Sequence, residues 1–195
     1  LPTGNTDTDI YAEYMLNAQN YILNQLTVTT LSGGNAVYDS NSDGYGCYIY
    51  NKHYTCGMAM LSMLGSATPN DVITTGAATG WTFFDLIQNA VDQYYYNQTD
   101  SGGQRGGWRY DVAGSSSGSD NSTAQWPILV MIQAERNWGV VVPQTLKDEL
   151  QLWLTYSQRT DGSFGYTDAS TYGNPDIAKT CAGLQGYALL DSLRT

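Results

Sequence analysis

His53 is the only histidine in the chain, so any imidazole acid or base must be this one. Tyr110 and Arg109 supply a second pattern, because a tyrosine base beside an arginine that neutralises a uronate can cleave a polysaccharide by elimination. The net charge of −10 disfavours such a polyanionic substrate. Arg109 has the alternative of stacking on a neighbouring aromatic ring or pairing with a neighbouring aspartate, and we favour that structural role.

The cysteines allow two interpretations. Cys47 and Cys56 are close enough in sequence to close a small disulfide loop, which would leave Cys181 free. In the alternative all three are buried thiols. The sequence does not choose between these states.

The segment Asp39-Ser-Asn-Ser-Asp43-Gly alternates oxygen-bearing side chains like the first half of a calcium-binding EF-hand loop. Such a loop needs a glutamate at its twelfth position, where this chain has Tyr50. We therefore favour a loop of Asx turns, in which side-chain oxygens bind the local backbone, and predict no bound calcium. The Gly-rich run over 102–107 follows a predicted helix rather than a strand, so it is a turn and not a nucleotide site.

Composition excludes some partners and favours one compartment. The eight Lys and Arg residues form no basic run, which argues against nucleic acid and anionic membranes as partners. No apolar run approaches the roughly 20 residues that span a bilayer. Few lysines, many small polar residues and glycosylation sequons at Asn97 and Asn121 are typical of secreted proteins. We predict an extracellular protein, with Leu1 exposed by removal of a signal peptide.

Tyrosine and tryptophan are abundant, with 16 Tyr and 5 Trp against 3 Phe. Such side chains suit surfaces that are partly wet, including ligand grooves and subunit contacts. The alternative is packing at the ends of structural repeats, which we favour for the composition as a whole. The candidate groove residues are the aromatics of the Gly-rich turns and of one helix start, namely Trp108, Tyr110, Trp126, Phe164 and Tyr166.

The elements that must position these side chains form a repeat. An amphipathic helix, a Gly/aromatic turn and an apolar helix recur in units spanning about 9–66, 70–139 and 142–193 of a single domain, 1–195. The apolar helices are predicted to begin near Thr55, Thr123 and Thr180 and to pack side by side. The first helix is predicted from about Ile10 to Leu26. Its apolar stripe comprises Ile10, Tyr14, Ala18, Tyr21 and Ile22.

Several of these segments carry a resemblance to a known family. Gly107-Trp-Arg-Tyr, the stretch 119–126, Gly139-Val-Val-Val-Pro and Gln158-Arg-Thr-Asp-Gly-Ser-Phe-Gly-Tyr resemble the repeats of the prenyltransferase and squalene-oxidase family. That family includes squalene–hopene cyclases and protein prenyltransferase β subunits. The resemblance implies an all-α fold of the α/α toroid-like repeat type. In this chain the repeat would contain about three helical hairpins, with buried inner helices and long Gly/aromatic loops.

The resemblance also implies chemistry that this sequence matches poorly. Cyclases of the family protonate their substrate with an Asp-rich motif, whereas here Asp120 stands as a single carboxylate. Prenyltransferases of the family hold zinc with Asp, Cys and His. The set that resembles those ligands is Asp43, Cys47, His53 and Cys56, whose spacing is not a standard zinc pattern. We therefore predict no zinc or other cofactor.

The functional prediction follows from the open end of a three-hairpin array. Family toroids contain about twice as many hairpins, and an open repeat exposes apolar flanks unless something caps them. We predict a non-catalytic extracellular scaffold or binding module that associates with itself or with other protein subunits. A glycan or an apolar molecule is the candidate ligand. The alternative is a toroid enzyme that acts on an isoprenoid or a glycan in the central groove.

Overall fold

The chain alternates helices with long connections, and a computed structural model describes its residues 9–112, 118–170 and 177–190. Most of this part of the chain is helical, which confirms the predicted helical class. The α-helices described are α1 (Ala12–Leu23), α2 (His53–Ser66), α3 (Phe83–Asn97), α4 (Asn121–Trp138), α5 (Gln144–Ser157) and α6 (Ile177–Leu190). None of them is both long and apolar enough to cross a membrane.

Local capping sets several helix ends. Thr82 accepts the backbone N–H of Asp85 while the Asp85 carboxylate accepts that of Thr82, a capping box that begins α3. Gly139 ends α4 in the left-handed conformation, with φ of 72°. Pro127 lies in the second turn of α4, because the helix begins at Asn121, two residues before the predicted start near Thr123. The missing N–H there removes one helical donor.

The apolar helices form an inner layer. Helix α4 packs against both α2 and α6, and Thr55, Thr123 and Thr180 all lie in the first turns of these helices. Helix α3 packs against α2 and α4, while α5 packs against α6 and α1 against α2. Close approach of α2 to α4 depends on Gly57, since a Cβ atom there would lie 2.5 Å from the Cβ of Trp126.

A small sheet interrupts the helical pattern near the start of the chain. Strand β1 (Leu26–Thr30) pairs antiparallel with β2 (Tyr45–Ile49), with Leu26 opposite Ile49. A short 3₁₀-helix, Gly33–Tyr38, lies between the strands, and β2 packs on α3. The first helix therefore ends at Leu23, not at the predicted Leu26, because the β-branched residues that follow pair with β2.

The face of α1 that packs on the core is opposite to the predicted one. Tyr14 and Tyr21 of the predicted stripe are exposed, whereas Ala12 and Leu23 are buried. Gln19 on the inward face donates to the backbone oxygen and the Oγ of Ser66, at 3.0 Å each. The smaller side chains face inward, which leaves the tyrosines outside.

Candidate functional site

Two of the five predicted groove aromatics belong to the core. The side chains of Trp108 and Phe164 are 0% and 2% exposed. The Trp108 Nε1 donates to the backbone oxygen of Tyr94 at 2.8 Å, and the Phe164 ring faces Gly183 of α6. Their assignment to a groove is corrected: each fills the space between its turn and the helices, where a large ring buries the most apolar surface.

The other three predicted groove residues lie together at the N-terminal ends of the inner helices. The ring of Tyr110 stacks on Tyr54, with centroids 5.8 Å apart and planes 9° from parallel. Tyr54 also meets Trp126, with centroids 5.4 Å apart. The hydroxyls of Tyr110 and Tyr166 are 3.2 Å apart. We call these four residues, Tyr54, Tyr110, Trp126 and Tyr166, the aromatic platform.

Polar groups surround the platform. The Ser122 Oγ donates to the Tyr166 hydroxyl at 3.2 Å, and the Lys179 ammonium lies 5.6 Å from the centroid of the Tyr166 ring. The bond from Ser122 lowers the pKa of Tyr166, but the contact with Tyr110, burial and Asp120 outweigh it and raise that pKa overall. The Tyr166 hydroxyl is therefore protonated at neutral pH, so it is available both to donate and to accept.

Backbone hydrogen bonds fix the two turn tyrosines in equivalent places. The Tyr110 carbonyl accepts the N–H of His53, the first residue of α2, at 2.9 Å. The Tyr166 carbonyl accepts the N–H of Asn121, the first residue of α4, also at 2.9 Å. Each turn thereby satisfies an N–H that has no partner within its helix. The same bonds set Tyr110 beside the start of α2 and Tyr166 beside the start of α4.

His53, the candidate acid or base, is fully buried beneath the platform. Its Nδ1 is hydrogen-bonded to the backbone oxygen of Arg109. Burial lowers the pKa of His53 to about 4, opposed in part by that bond and by Asp111. The imidazole is therefore neutral at physiological pH and ties the turn to the first turn of α2.

The other catalytic candidates do not converge on His53. Asp120 is the N-cap of α4: its carboxylate accepts the backbone N–H of Thr123 at 2.9 Å and the hydroxyl of Ser122 at 2.6 Å. Arg109 is exposed, and its guanidinium lies over Gly118. Asp120 thus caps a helix, and the Arg109 side chain lies on the surface.

The cysteines are free thiols in this structure, so the Cys47–Cys56 disulfide, one of the two states that the sequence left open, is not present. Cys47 Sγ donates to the Leu86 carbonyl at 3.4 Å, and the Tyr94 hydroxyl donates to Cys56 Sγ at 3.3 Å. Burial raises the pKa of Cys47 well above its usual value and that of Cys56 to about 11, so both stay protonated. Cys181 is exposed on α6.

The residues named as zinc ligands do not form a metal site. Across the described ranges, no group of three or more His, Cys, Asp or Glu side chains is placed to hold a metal ion. Asp43 turns instead toward α3, where its Oδ2 accepts the Asn89 amide at 2.9 Å.

The carboxylates of the calcium-like loop bind the backbone of the loop itself. Asp39 Oδ2 accepts the N–H of Gly44 and Asp43 Oδ1 that of Tyr45, both at 2.8 Å. The loop is anchored on α3, where the N–H of Ser40 donates to Asp92 Oδ2 at 3.2 Å. This is the Asx-turn arrangement favoured by the sequence, with its oxygens used for local structure.

Anchoring this loop on a buried carboxylate should make stability depend on pH. Burial raises the pKa of Asp92 to about 6, although the bonds from Ser40 and Gln88 lower it. An unfolded aspartate titrates near about 3.9, so between these values the folded state holds more protons and loses stability as pH rises. We expect the wild-type free energy of unfolding to fall by roughly 2 kcal/mol relative to Asp92→Asn between about pH 4 and pH 7.

Urea denaturation of both proteins across that pH range measures this difference. The carboxamide of the Asp92→Asn variant cannot accept both hydrogen bonds that the carboxylate accepts, so the two proteins will differ in stability at every pH. The test is therefore how the difference between their free energies of unfolding changes with pH, not its size at one pH. A difference that stays constant from pH 4 to pH 7 would contradict the raised pKa.

A separate cleft of about 350 Å³ lies between α1 and the segment 66–74. Leu23, Ile73 and Phe83 are among its lining residues and are buried. It contains none of the residues predicted from the sequence to act in a site, so the platform remains the candidate site. Comparison with protein-family models, curated proteins and solved structures finds nothing that matches the chain.

Proposed function

We propose that this chain is a non-catalytic extracellular binding module whose aromatic platform binds a neutral glycan. The observation that carries the proposal is the convergence of four aromatic side chains from separate stretches of sequence on one surface. Two belong to inner helices, Tyr54 and Trp126, and two to Gly-rich turns, Tyr110 and Tyr166. Composition, with few lysines and many small polar residues, supports the extracellular part of the proposal.

The chemistry of the platform fits a sugar better than a purely apolar molecule. Aromatic faces offer flat apolar surface to the C–H faces of a pyranose, while tyrosine and serine hydroxyls offer donors and acceptors to its hydroxyl groups. Tyr110 is 39% exposed, and its hydroxyl lies at the surface beside that of Tyr166. A polyanionic glycan is disfavoured because the chain carries a net charge of −10.

We propose further that the helices form a partial α/α toroid of three hairpins, in the units 9–66, 70–139 and 142–193. Two features support this. Helix α4 contacts both α2 and α6, and the carbonyls of Tyr110 and Tyr166 bind the first N–H of α2 and of α4 in the same way. In such an array the platform lies where the N-terminal ends of inner helices meet the turns of the next unit.

An enzyme acting on an isoprenoid or a glycan in the groove has less support. His53 is neutral and buried, and the carboxylate of Asp120 is engaged in capping α4. A general acid or base must come within hydrogen-bond reach of its substrate, and neither group has that access in this arrangement. Binding without turnover is therefore the function that the geometry favours.

Tyr110→Ala is expected to weaken glycan binding at least about fivefold, because a central aromatic in a contact contributes more than about 1 kcal/mol. A panel of neutral α- and β-linked oligosaccharides, titrated by calorimetry and by tryptophan fluorescence, measures the affinity. Trp126 provides the fluorescent probe at the site.

Tyr45→Ala is the matched control. Tyr45 is 39% exposed, the same value as for Tyr110, but it lies on β2 outside the platform. Its replacement should leave binding unchanged. Absence of binding across the panel, or an equal loss in the control, would reject the glycan proposal. Release of shorter sugars from the panel would instead favour the enzyme.

A further inference from the structure

The outward face of α1, together with the turn before it, exposes a row of large apolar side chains. Ile10, Tyr11, Tyr14 and Tyr21 are 78%, 64%, 74% and 67% exposed. They lie on one side of the helix with Ala18 between them, and we call these five residues the α1 stripe. Contiguous exposed apolar surface of this kind marks interaction sites in soluble proteins.

The stripe continues beyond the helix. Tyr50, which follows β2, is 57% exposed, and its hydroxyl donates to Gln25 Oε1 at 2.7 Å. Because a tyrosine side chain carries roughly 150–250 Å² of surface, the exposed parts of the stripe and of Tyr50 present on the order of 550–850 Å². A standard protein interface buries about 600–1,000 Å² on each partner. The exposed surface is therefore of the size that one partner of a dimer buries.

Charge points to a partner that is itself uncharged at the contact. Helix α1 contains a single charged residue, Glu13, although the chain as a whole carries −10. Tyrosine-rich surfaces depleted of Lys, Glu and Asp are typical of the cores of subunit interfaces. A basic partner would find almost no acidic groups here, whereas a second α1 stripe offers the same neutral, aromatic surface.

We propose that the α1 stripe is the contact of a two-fold dimer in which α1 packs antiparallel to α1 of a second copy of this chain. This goes beyond the glycan-binding role and does not depend on it. Tyr14 and Tyr21 are nearly symmetric about Ala18, so an antiparallel pair sets Tyr14 of each copy against Tyr21 of the other. The small side chain of Ala18 allows the helices to approach at the crossing point.

The antiparallel arrangement also separates the like charges. With a rise of 1.5 Å per residue, the two Glu13 carboxylates lie about 14 Å apart along the helix axes. That exceeds the Debye length of about 10 Å at 0.1 M salt, so their repulsion is largely screened. The opposed helix dipoles add a further small attraction.

Sedimentation velocity from low micromolar to near-millimolar concentration tests the dimer. The wild-type protein should show a monomer–dimer equilibrium, and the double variant Tyr14→Gln with Tyr21→Gln should raise its dissociation constant at least about tenfold. Both positions are exposed and glutamine favours helix, so the variant should retain its helical circular dichroism. The control pair, Leu152→Gln with Tyr156→Gln on α5, should leave the equilibrium unchanged.

Cross-linking tests the orientation. In a Cys181→Ser background, Ala18→Cys should form a disulfide-linked dimer on treatment with oxidised glutathione, because the two-fold axis brings the two positions within disulfide reach. A protein that stays monomeric throughout, or a dimer weakened by the α5 pair and not by the α1 pair, would overturn the proposal. A dimer that fails to cross-link at position 18 would overturn the antiparallel geometry.

Discussion

Replacement of Trp108 by alanine is expected to lower the free energy of unfolding by about 3–5 kcal/mol. The side chain is 0% exposed, and its Nε1 donates to the Tyr94 carbonyl inside the core. Alanine removes the packed ring and leaves that buried carbonyl without its donor, so the cost of a cavity adds to the lost hydrogen bond. Urea denaturation followed by circular dichroism measures the change.

Two further variants separate the roles of neighbouring residues. Trp108→Phe keeps an aromatic ring but loses the hydrogen bond, so it should cost less than alanine. Tyr110→Ala, two residues away, should change stability little because its side chain is partly exposed, yet it should weaken ligand binding. If Trp108→Ala folds with nearly wild-type stability and loses only binding, the core assignment of Trp108 is wrong.

These two positions show a limit of what the sequence predicts about the site. Trp108 and Tyr110, like Phe164 and Tyr166, are aromatics two residues apart, and in regular extended backbone such residues would share a face. The structure buries the first of each pair and leaves the second at least partly exposed, so spacing alone did not predict which aromatics belong to the core. Tyr54 and Ser122 were missed as well, although both lie in first turns of inner helices, close to the turn tyrosines.

The inner helices could be predicted because the pattern that identifies them, a run of apolar and small residues, lies within each helix. Helix α2 begins at His53, close to the predicted start near Thr55, since a run of apolar and small residues permits burial on most sides. The predicted starts of α4 near Thr123 and of α6 near Thr180 also differ from the observed ones by only two or three residues. The contacts of α4 with both α2 and α6 agree with the predicted packing of these helices side by side.

The sequence of α1 does not determine which face of the helix is buried. The helix has two apolar faces, one with Tyr14 and Tyr21 and one with Met15 and Leu23. The hydrophobic periodicity predicted that the more aromatic face would be buried. In the structure the face with the smaller side chains contacts α2 and lines the cleft that also includes Ile73. Pairing of β1 with β2 was equally hidden, because strand pairing depends on residues about 20 positions apart.

Replacement of Gly106 by alanine is expected to lower the free energy of unfolding by about 2–5 kcal/mol, an effect comparable with the loss of Trp108. Gly106 has φ of +94°, and a Cβ atom there would lie 1.8 Å from the backbone oxygen of Glu149 in α5. The left-handed conformation alone costs an alanine about 1–2 kcal/mol, and the clash with rigid backbone adds roughly 1–3 kcal/mol or more. The turn must therefore move away from α5, which breaks the bond from the Gly106 N–H to the Thr99 carbonyl at 2.7 Å.

Gly102→Ala separates the cost of the left-handed backbone conformation from the cost of a steric clash. Gly102 has φ of +72°, but no atom lies within 4 Å of the position that a Cβ would take. The variant should lose only the conformational part, about 1–2 kcal/mol, and keep the platform intact. Chemical denaturation of both variants, with oligosaccharide titration of whichever remains folded, tests this pair. Equal losses in the two variants would mean that the turn does not lie against α5. A greater loss of stability in Gly106→Ala would support the contact between that turn and α5, and weaker oligosaccharide binding by the folded variant would tie the position of Tyr110, four residues later, to that contact.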